Sequence, residues 1–386
     1  MSKRRLVFMM IMMATIGSLT ATRRLPSARL ANWNLSRRIA CRLSGETDVW
    51  KPDRVLSECY DVLVRRSFEE VARYTDTAME LDRDAVHVLG RADWIAANLR
   101  NAERLFAPLA EVYERAQDNA GPAGRLVARG THYAVTGQIA MLFGYLSRHV
   151  LGQYDVPILE HNADSAEILF VEPNIARVAA ETGIDRNDLR LWVALHETTH
   201  AFQFRAGNPP WIKAYIAQQL QIYIAEAIRG LDSRRSLSAR LSDAWNRFDS
   251  REFTSVGLMR FVLTDTQTEA LAKIQALMTL MEGYSNHVMR KIGHQLIPEF
   301  PLLEARMERR ARVHGSVSKT VLRLLGLGLK LEQYRVGERF VEYVVEEGGS
   351  EFLHHVWRGP NFVPTLAEAR NPAAWVDRMR KGRVVS

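Results

Sequence analysis

Two histidines and a glutamate occupy one short segment of this chain, His196-Glu197-Thr198-Thr199-His200. A spacing of four residues puts both imidazoles on one face of a helix, where both can reach a single metal ion. Glu197 directly follows the first histidine and can take a proton from a metal-bound water. The pattern predicts a zinc site with Glu197 as the general base.

The sequence around this segment favours a helix with inward-facing histidines. Asp185 or Asn187 can cap its start, and Leu189 and Val193 continue the stripe that contains His196 and His200. Apolar side chains on both sides of the histidines would exclude water. The competing interpretation is a pair of core histidines satisfied by hydrogen bonds.

A catalytic zinc usually takes three protein ligands, so a third must come from elsewhere. The strongest candidate is Glu282, which lies on the apolar face of a predicted helix. Thr264 and Gln267 fit a capping box at the start of that helix. A buried carboxylate needs a partner, either a metal or an arginine. His287 and His294 are competing ligands, but His287 lies about 140° round the helix from Glu282.

These residues together predict hydrolysis of a peptide or amide bond. Zinc would activate a water molecule and polarise the carbonyl, and Glu197 would carry the proton to the leaving amine. A further donor is expected for the oxyanion, and Tyr284, His287 and Tyr334 are the candidates.

Composition narrows the class of protein. The 386 residues are 25% charged and 47% hydrophobic, which is ordinary for a globular protein with a sizeable core. The net charge of +8 is spread over helix faces without a nucleic-acid-binding signature, so no nucleic acid partner is expected. Cys41 and Cys59 provide neither a disulfide framework nor a thiolate metal site, which favours the cytoplasm.

The N-terminal sequence indicates an alternative to the cytoplasm. A basic start, Lys3-Arg4-Arg5, precedes an apolar run at residues 6–21. A signal peptide, an uncleaved anchor and an over-extended start all fit this leader at residues 1–30. Export, or membrane association through the apolar run, is therefore the alternative to a cytoplasmic protein.

The remaining chain predicts a mostly α-helical fold with a small β element. The pattern is helical from Asn32 to about Gly121, and Tyr154–Leu159 with Ala166–Val171 indicate a hairpin just before the metal helix. We expect a helical lobe at residues 32–150 that is continuous with a catalytic region at 151–386. The polar stretch Gly230–Thr254 is expected to be a flexible excursion.

Several long segments carry a family resemblance. They are NWNLSRRIACRLSG from Asn32, RADWIAANLRNAERLFAPL from Arg91, GYLSRHVLGQYDVPIL from Gly144, LFVEPNI from Leu169, LRLWVALHETTHAFQF from Leu189, NPPWI from Asn208, IQALMTLMEGYSNHVM from Ile274, LGLGLKLEQYRVGERFVEYVV from Leu325 and VPTLAEARNPAAW from Val363. With these segments the chain resembles the actinobacterial zinc-dependent metalloproteases, also described as hydrolases associated with deazaflavin-coenzyme biosynthesis.

The resemblance implies a zincin-like fold over residues 32–380. It implies zinc ligands at His196, His200 and Glu282, with Glu197 catalytic. One departure is Arg290, where the family is expected to carry an acidic residue at the rim of the site.

Two functions follow. The first is a zinc-dependent metallopeptidase acting on a peptide or amide substrate, and the second is a non-catalytic zinc-binding scaffold derived from such an enzyme. Three visible ligands without a thiolate, together with an intact Glu197, favour the enzyme. The identity of the substrate and the oligomeric state stay open.

Overall fold

The computed structural model describes residues 29–46, 50–77, 86–118, 122–158, 166–207, 209–232, 264–310 and 333–382. The predicted leader lies almost entirely outside these residues, and so does most of the predicted excursion at Gly230–Thr254. Among the described helices, none combines the length and the apolar character that a membrane span requires.

The described chain is mostly α-helical with one small sheet, as the sequence predicts. The helices are α1 (Trp33–Ser44), α2 (Arg54–Thr75), α3 (Arg91–Asp118), α4 (Pro122–Leu146), α5 (Glu172–Thr182), α6 (Arg186–Arg205), α7 (Ile212–Asp232), α8 (Asp265–Leu296), α9 (Gln333–Leu353), α10 (Leu366–Arg370) and α11 (Pro372–Arg380). The strands are β1 (Val86–Leu89), β2 (Gly152–Asp155) and β3 (Glu167–Val171). Residues 300–310 are also helical.

The sheet has the order β1-β3-β2, so β2 is at one edge. The predicted hairpin strands do pair in antiparallel fashion, with Tyr154 opposite Ile168. The pattern predicted as helical from Asn32 to about Gly121 did not include β1, which runs parallel to β3 with Val88 opposite Phe170. A four-residue strand whose partner lies about 80 residues away leaves no local hairpin signal.

Helix α6, which contains His196 and His200, is largely buried in the core. Asp185 caps it by accepting hydrogen bonds from the N–H groups of Asn187 and Asp188. Leu189 and Leu195 are fully buried in the larger core cluster, against side chains from α2 and α8. Burial of each such leucine stabilises the fold by about 1.5–3 kcal/mol, so the core fixes this helix on nearly every side.

A buried ion pair anchors the first turns of α6. The guanidinium of Arg190 contacts both carboxylate oxygens of Glu172, and the hydroxyl of Tyr60 donates to the same carboxylate. Glu172 begins α5 directly after β3, and Tyr60 belongs to α2. The cluster therefore joins the metal helix to the sheet and to α2.

Helix α8 begins with the predicted capping box of Thr264 and Gln267. It crosses α9 where Gly283 and Gly337 face each other. A methyl group on Gly337 would overlap the carbonyl of Thr279, so the two backbones touch at this point. The crossing fixes the segment of α8 that contains Glu282.

The larger core cluster draws on residues from both sides of position 150, such as Val64 of α2 and Phe170 of β3. The division of the chain at that position stays a prediction.

Candidate metal centre

Two imidazole nitrogens and the two oxygens of one carboxylate converge between α6 and α8. Nε2 of His196 lies 3.1 Å from Nε2 of His200. Oε2 of Glu282 lies 3.5 Å from Nε2 of His196, and Oε1 of Glu282 lies 3.8 Å from Nε2 of His200. No other group of three or more possible metal ligands occurs among the described residues. Glu282 thus pairs with the two histidines and not with an arginine.

The separations fit a zinc ion. Zinc bonds of about 2.0–2.1 Å in a tetrahedron put neighbouring ligand atoms about 3.3 Å apart. The observed distances of 3.1, 3.5 and 3.8 Å bracket that value. Two imidazoles and one carboxylate are also a donor set of catalytic zinc sites.

Gln203 determines the orientation of His200. Its Nε2 donates to the carbonyl of Met281 at 2.8 Å and also lies near the hydroxyl of Ser285. Since a carbonyl can only accept, the Oε1 of Gln203 must face Nδ1 of His200, at 2.8 Å. That nitrogen therefore carries the proton, and Nε2 of His200 presents its lone pair to the site.

His196 has a different environment. Its ring lies nearly parallel to the indole of Trp192, with 6.4 Å between the centroids and 12° between the planes. Its Nδ1 is buried and makes no hydrogen bond to any described residue. The stacking fixes the plane of the ring, so the orientation of His196 depends on packing.

Glu197 lies beside the three candidate ligands and is only 5% exposed. Its Oε2 accepts a hydrogen bond from the N–H of Tyr154 in β2 at 2.8 Å. Burial raises the pKa of Glu197 to about 7; the neighbouring imidazole of His200 opposes this rise, Glu282 adds to it, and the N–H of Tyr154 also opposes it. A carboxyl with a pKa in this range can both take up and release a proton near neutrality.

The pKa of Glu282 is shifted in the opposite direction. Burial raises the pKa of its carboxyl, but the hydrogen bond with His196 and the neighbouring imidazoles of His200 and His196 outweigh burial and leave the pKa below its ordinary value. Glu282 is therefore ionised at neutral pH, as a ligand must be.

The other sequence candidates lie elsewhere. His287 hydrogen-bonds to Tyr74, and the ring of His294 packs against Phe300. Tyr284 is buried against Trp357, outside the cleft described below. The side chain of Tyr334 lies outside the described part of the structure.

The predicted place of Arg290 at the rim of the site is not what the structure shows. Its guanidinium binds three carboxylates, from Glu304, Glu338 and Glu342, and it does not line the cleft. These three acidic neighbours explain why an arginine stands at this position.

The three candidate metal ligands line a cleft of about 520 Å³. Its lining residues are Gly152, Gln153, Tyr154, Trp192, His196, Glu197, His200, Phe204, Met278, Met281, Glu282 and Asn286. Sequence reasoning assigned no role in the site to several of them, although Trp192, Phe204 and Asn286 each lie four residues from a candidate ligand. Extension of the ligand spacing by one helical turn would have found them.

Comparison with known proteins agrees with this geometry. No curated protein shows significant similarity to the chain. A solved structure from Chloroflexus aurantiacus, described as "a putative hydrolase with a novel fold", is 33% identical and superposes with a TM-score of 0.67. The match covers 91% of this chain and 99% of that one. The family model of the zincin-like metallopeptidases matches residues 31–376. The chain therefore belongs to the zincin-like metallopeptidase family.

Proposed function

We propose that this protein is a zinc-dependent hydrolase that cleaves a peptide or amide bond with Glu197 as its general base. The observation that carries the proposal is the position of Glu197, a buried carboxylate beside two imidazoles and a carboxylate that suit zinc. A structural zinc site has no use for such a group. This favours the enzyme over the alternative, a non-catalytic zinc-binding scaffold.

His196, His200 and Glu282 would hold the metal. Zinc at such a site lowers the pKa of a coordinated water and polarises the carbonyl of the substrate. The chain itself must move the proton. Oε2 of Glu197 is fixed by the N–H of Tyr154, so the carboxylate is oriented before substrate binds. Glu197 would take a proton from the attacking water and deliver it to the leaving amine.

The edge strand β2 supports a peptide as the substrate. Gly152, Gln153 and Tyr154 line the cleft, and β2 pairs with β3 on its other side only. The N–H of Tyr154 points away from β3, toward Glu197. Because backbone groups alternate along a strand, those of Gly152 have the same direction and can pair with an extended chain.

Two finer features that the sequence resemblance implies are also proposed for this protein. They are membership of the actinobacterial branch and an association with deazaflavin-coenzyme biosynthesis. Both stay predictions, and the chemistry proposed above does not depend on them.

The test compares the full-length protein with Glu197→Gln. Glutamine can still accept the hydrogen bond from Tyr154 but cannot serve as a base. We expect one zinc per chain in both proteins, and turnover of a mixed peptide library that falls by about 10²–10⁴-fold in the variant. Glu269→Gln changes an exposed glutamate of α8 and is the matched control. Zinc binding without turnover in the wild type would favour the scaffold.

A further inference from the structure

The side chains around the metal-binding atoms form two rows with helical spacing. The row on α6 consists of Trp192, His196, His200 and Phe204, and the row on α8 consists of Met278, Glu282 and Asn286. Residues four apart lie on one face of a helix, so each row passes through the ligands. On α6 the two candidate ligands lie between Trp192 and Phe204. On α8 the candidate ligand Glu282 lies one turn after Met278 and one turn before Asn286.

The apolar members of these rows are available to a substrate. Met278 is 37% exposed, although the adjacent Leu277 and Thr279 are buried. Trp192 contacts His196 through one face of its indole, and Phe204 packs against Tyr154 at a centroid distance of 5.6 Å. A methionine is flexible and polarisable, and it can adapt to side chains of different shapes.

The charged side chains of the cleft disfavour peptides that carry a carboxylate near the scissile bond. Its charged or titratable side chains, apart from Tyr154, are the three candidate metal ligands and Glu197. Over the described residues, no lysine or arginine lines the cleft. Away from the metal, no cationic side chain of the cleft would bind an acidic side chain or the C-terminal carboxylate of a peptide, and ionised Glu197 and Glu282 would disfavour both.

Asn286 supplies an uncommitted polar group. It lies one turn after Glu282, and its amide makes no hydrogen bond to the described residues, although the residue lines the cleft. A neutral amide carries both a donor and an acceptor, which matches the peptide group of an extended chain.

From these observations we infer that the substrate is an internal peptide segment with a large apolar residue next to the scissile bond, packed against Trp192 and Met278. The inference rests on the proposed hydrolase function and adds its specificity. The protein is an endopeptidase for apolar sequences and not a carboxypeptidase.

The first experiment is a digest of a peptide library blocked at both ends, with cleavage positions read by mass spectrometry. We expect Leu, Ile, Met and Phe to be enriched beside the cleaved bond. In matched quenched peptides, kcat/KM should fall at least about tenfold when that residue is changed to Ala, and further when it is Asp. Unblocking the C-terminus close to the bond should lower the rate.

The second experiment changes the specificity. Met278→Lys places a cation in the cleft at a position exposed enough to tolerate it. We expect a loss of about tenfold in kcat/KM for the apolar peptide and a similar gain for the Asp peptide. Met141→Lys is the matched control, because Met141 is also an exposed helical methionine, 50% exposed on α4, and lies outside the cleft.

The outcomes separate the two proposals. Cleavage by the wild type with no preference for apolar residues, or an unchanged preference in Met278→Lys, would overturn the inference and leave the hydrolase proposal standing. No cleavage of any peptide by the wild type, with zinc bound, would overturn both.

Discussion

The side-chain amide of Gln203 lies between His200 and the backbone of α8. One end accepts from Nδ1 of His200, and the other donates to the carbonyl of Met281, the residue before Glu282. A single side chain thus sets the tautomer of one candidate ligand, His200, and joins its helix to the helix that contains another, Glu282. Partners of this kind typically change metal affinity by about 10–100-fold when they are removed.

We therefore expect Gln203→Met to bind zinc about 10–100-fold more weakly than the wild type, since it keeps the volume and loses both hydrogen bonds. Competition with a chromophoric chelator measures the affinity. Gln117→Met, a buried glutamine of α3 outside the cleft, should leave it unchanged. Equal zinc affinity in Gln203→Met and the wild type would mean that packing alone orients His200.

How far the site could be predicted depends on the distance between its parts. His196 and His200 lie on one helix, so their spacing alone predicts that they meet. Glu282 lies more than 80 residues away, and the sequence offered it only as a carboxylate on an apolar face and through the family resemblance. The contact of Gln203 with Met281 depends on how α6 and α8 pack, which no local pattern encodes.

At the scale of elements, the approach of β2 to α6 determines the position of Glu197, the proposed base. Gly152 lies directly over Glu197. A Cβ at this position would lie 2.6 Å from Cγ1 of Val193 and 2.7 Å from Oε1 of Glu197. Behind the strand, the side chain of Gln153 bonds to Trp94 of α3. Since β2 is held from both sides, it cannot move away from an added methyl group without loss of these contacts.

Gly152→Ala should therefore displace Glu197 and spare the ligands. We expect turnover to fall by about 10²-fold, the typical effect of misplacing a catalytic group by about 1 Å, with one zinc still bound per chain. Turnover and zinc content are measured on the same samples. Gly137→Ala on α4 is the control, because its methyl group meets no atom within 4 Å. Unchanged turnover in Gly152→Ala would show that β2 does not position the base.

The crossing of α8 and α9 gives a prediction about stability. A methyl group on Gly337 would overlap the carbonyl of Thr279, so Gly337→Ala must separate the two helices. Overpacking of this kind costs about 1–3 kcal/mol of the free energy of unfolding, which urea denaturation measures. In Gly137→Ala the same change should raise it by about 0.5–1 kcal/mol, because alanine is the better helix former. A Gly337→Ala protein as stable as the wild type would contradict the close crossing.

Some of the helices and strands could be predicted from the sequence and others could not, for physical reasons. Helix α2 was indicated by its amphipathic period, and the β2–β3 pair by two short apolar runs close together in sequence. Strand β1 is short, lies between two long helices and pairs with a distant parallel partner, so its period could not be separated from theirs. The closeness of Gly152 to Glu197 follows from that same sheet and was equally hidden.

Over the whole molecule, His287 links α2 to α8 in the core. It is 7% exposed and hydrogen-bonds through Nε2 to the hydroxyl of Tyr74. Burial, with the positive charges of Lys291 and Arg290, lowers the pKa of His287 from 6.5 to about 4. The folded protein therefore keeps this imidazole neutral at pH values where the unfolded chain protonates it.

This difference in the pKa of His287 between the folded and unfolded states makes the stability of the protein depend on pH. Between pH 6.5 and about 4 the unfolded state binds a proton that the folded state refuses, so stability is lost as the pH falls. At about 1.4 kcal/mol per pKa unit, the loss due to His287 is about 2 kcal/mol at pH 5 relative to pH 7 or above. His287→Gln can still bond to Tyr74 but does not titrate.

We expect urea unfolding to show a stability difference between the wild type and His287→Gln that shrinks by about 2 kcal/mol from pH 7 to pH 5. Every other titrating group, including those of the metal site, is common to both proteins and cancels in the difference. A difference that does not change with pH would mean that His287 can be protonated in the folded state. In that case the contact between α2 and α8 would be open to water, and the core would not enclose the site as tightly as the packing of α6 indicates.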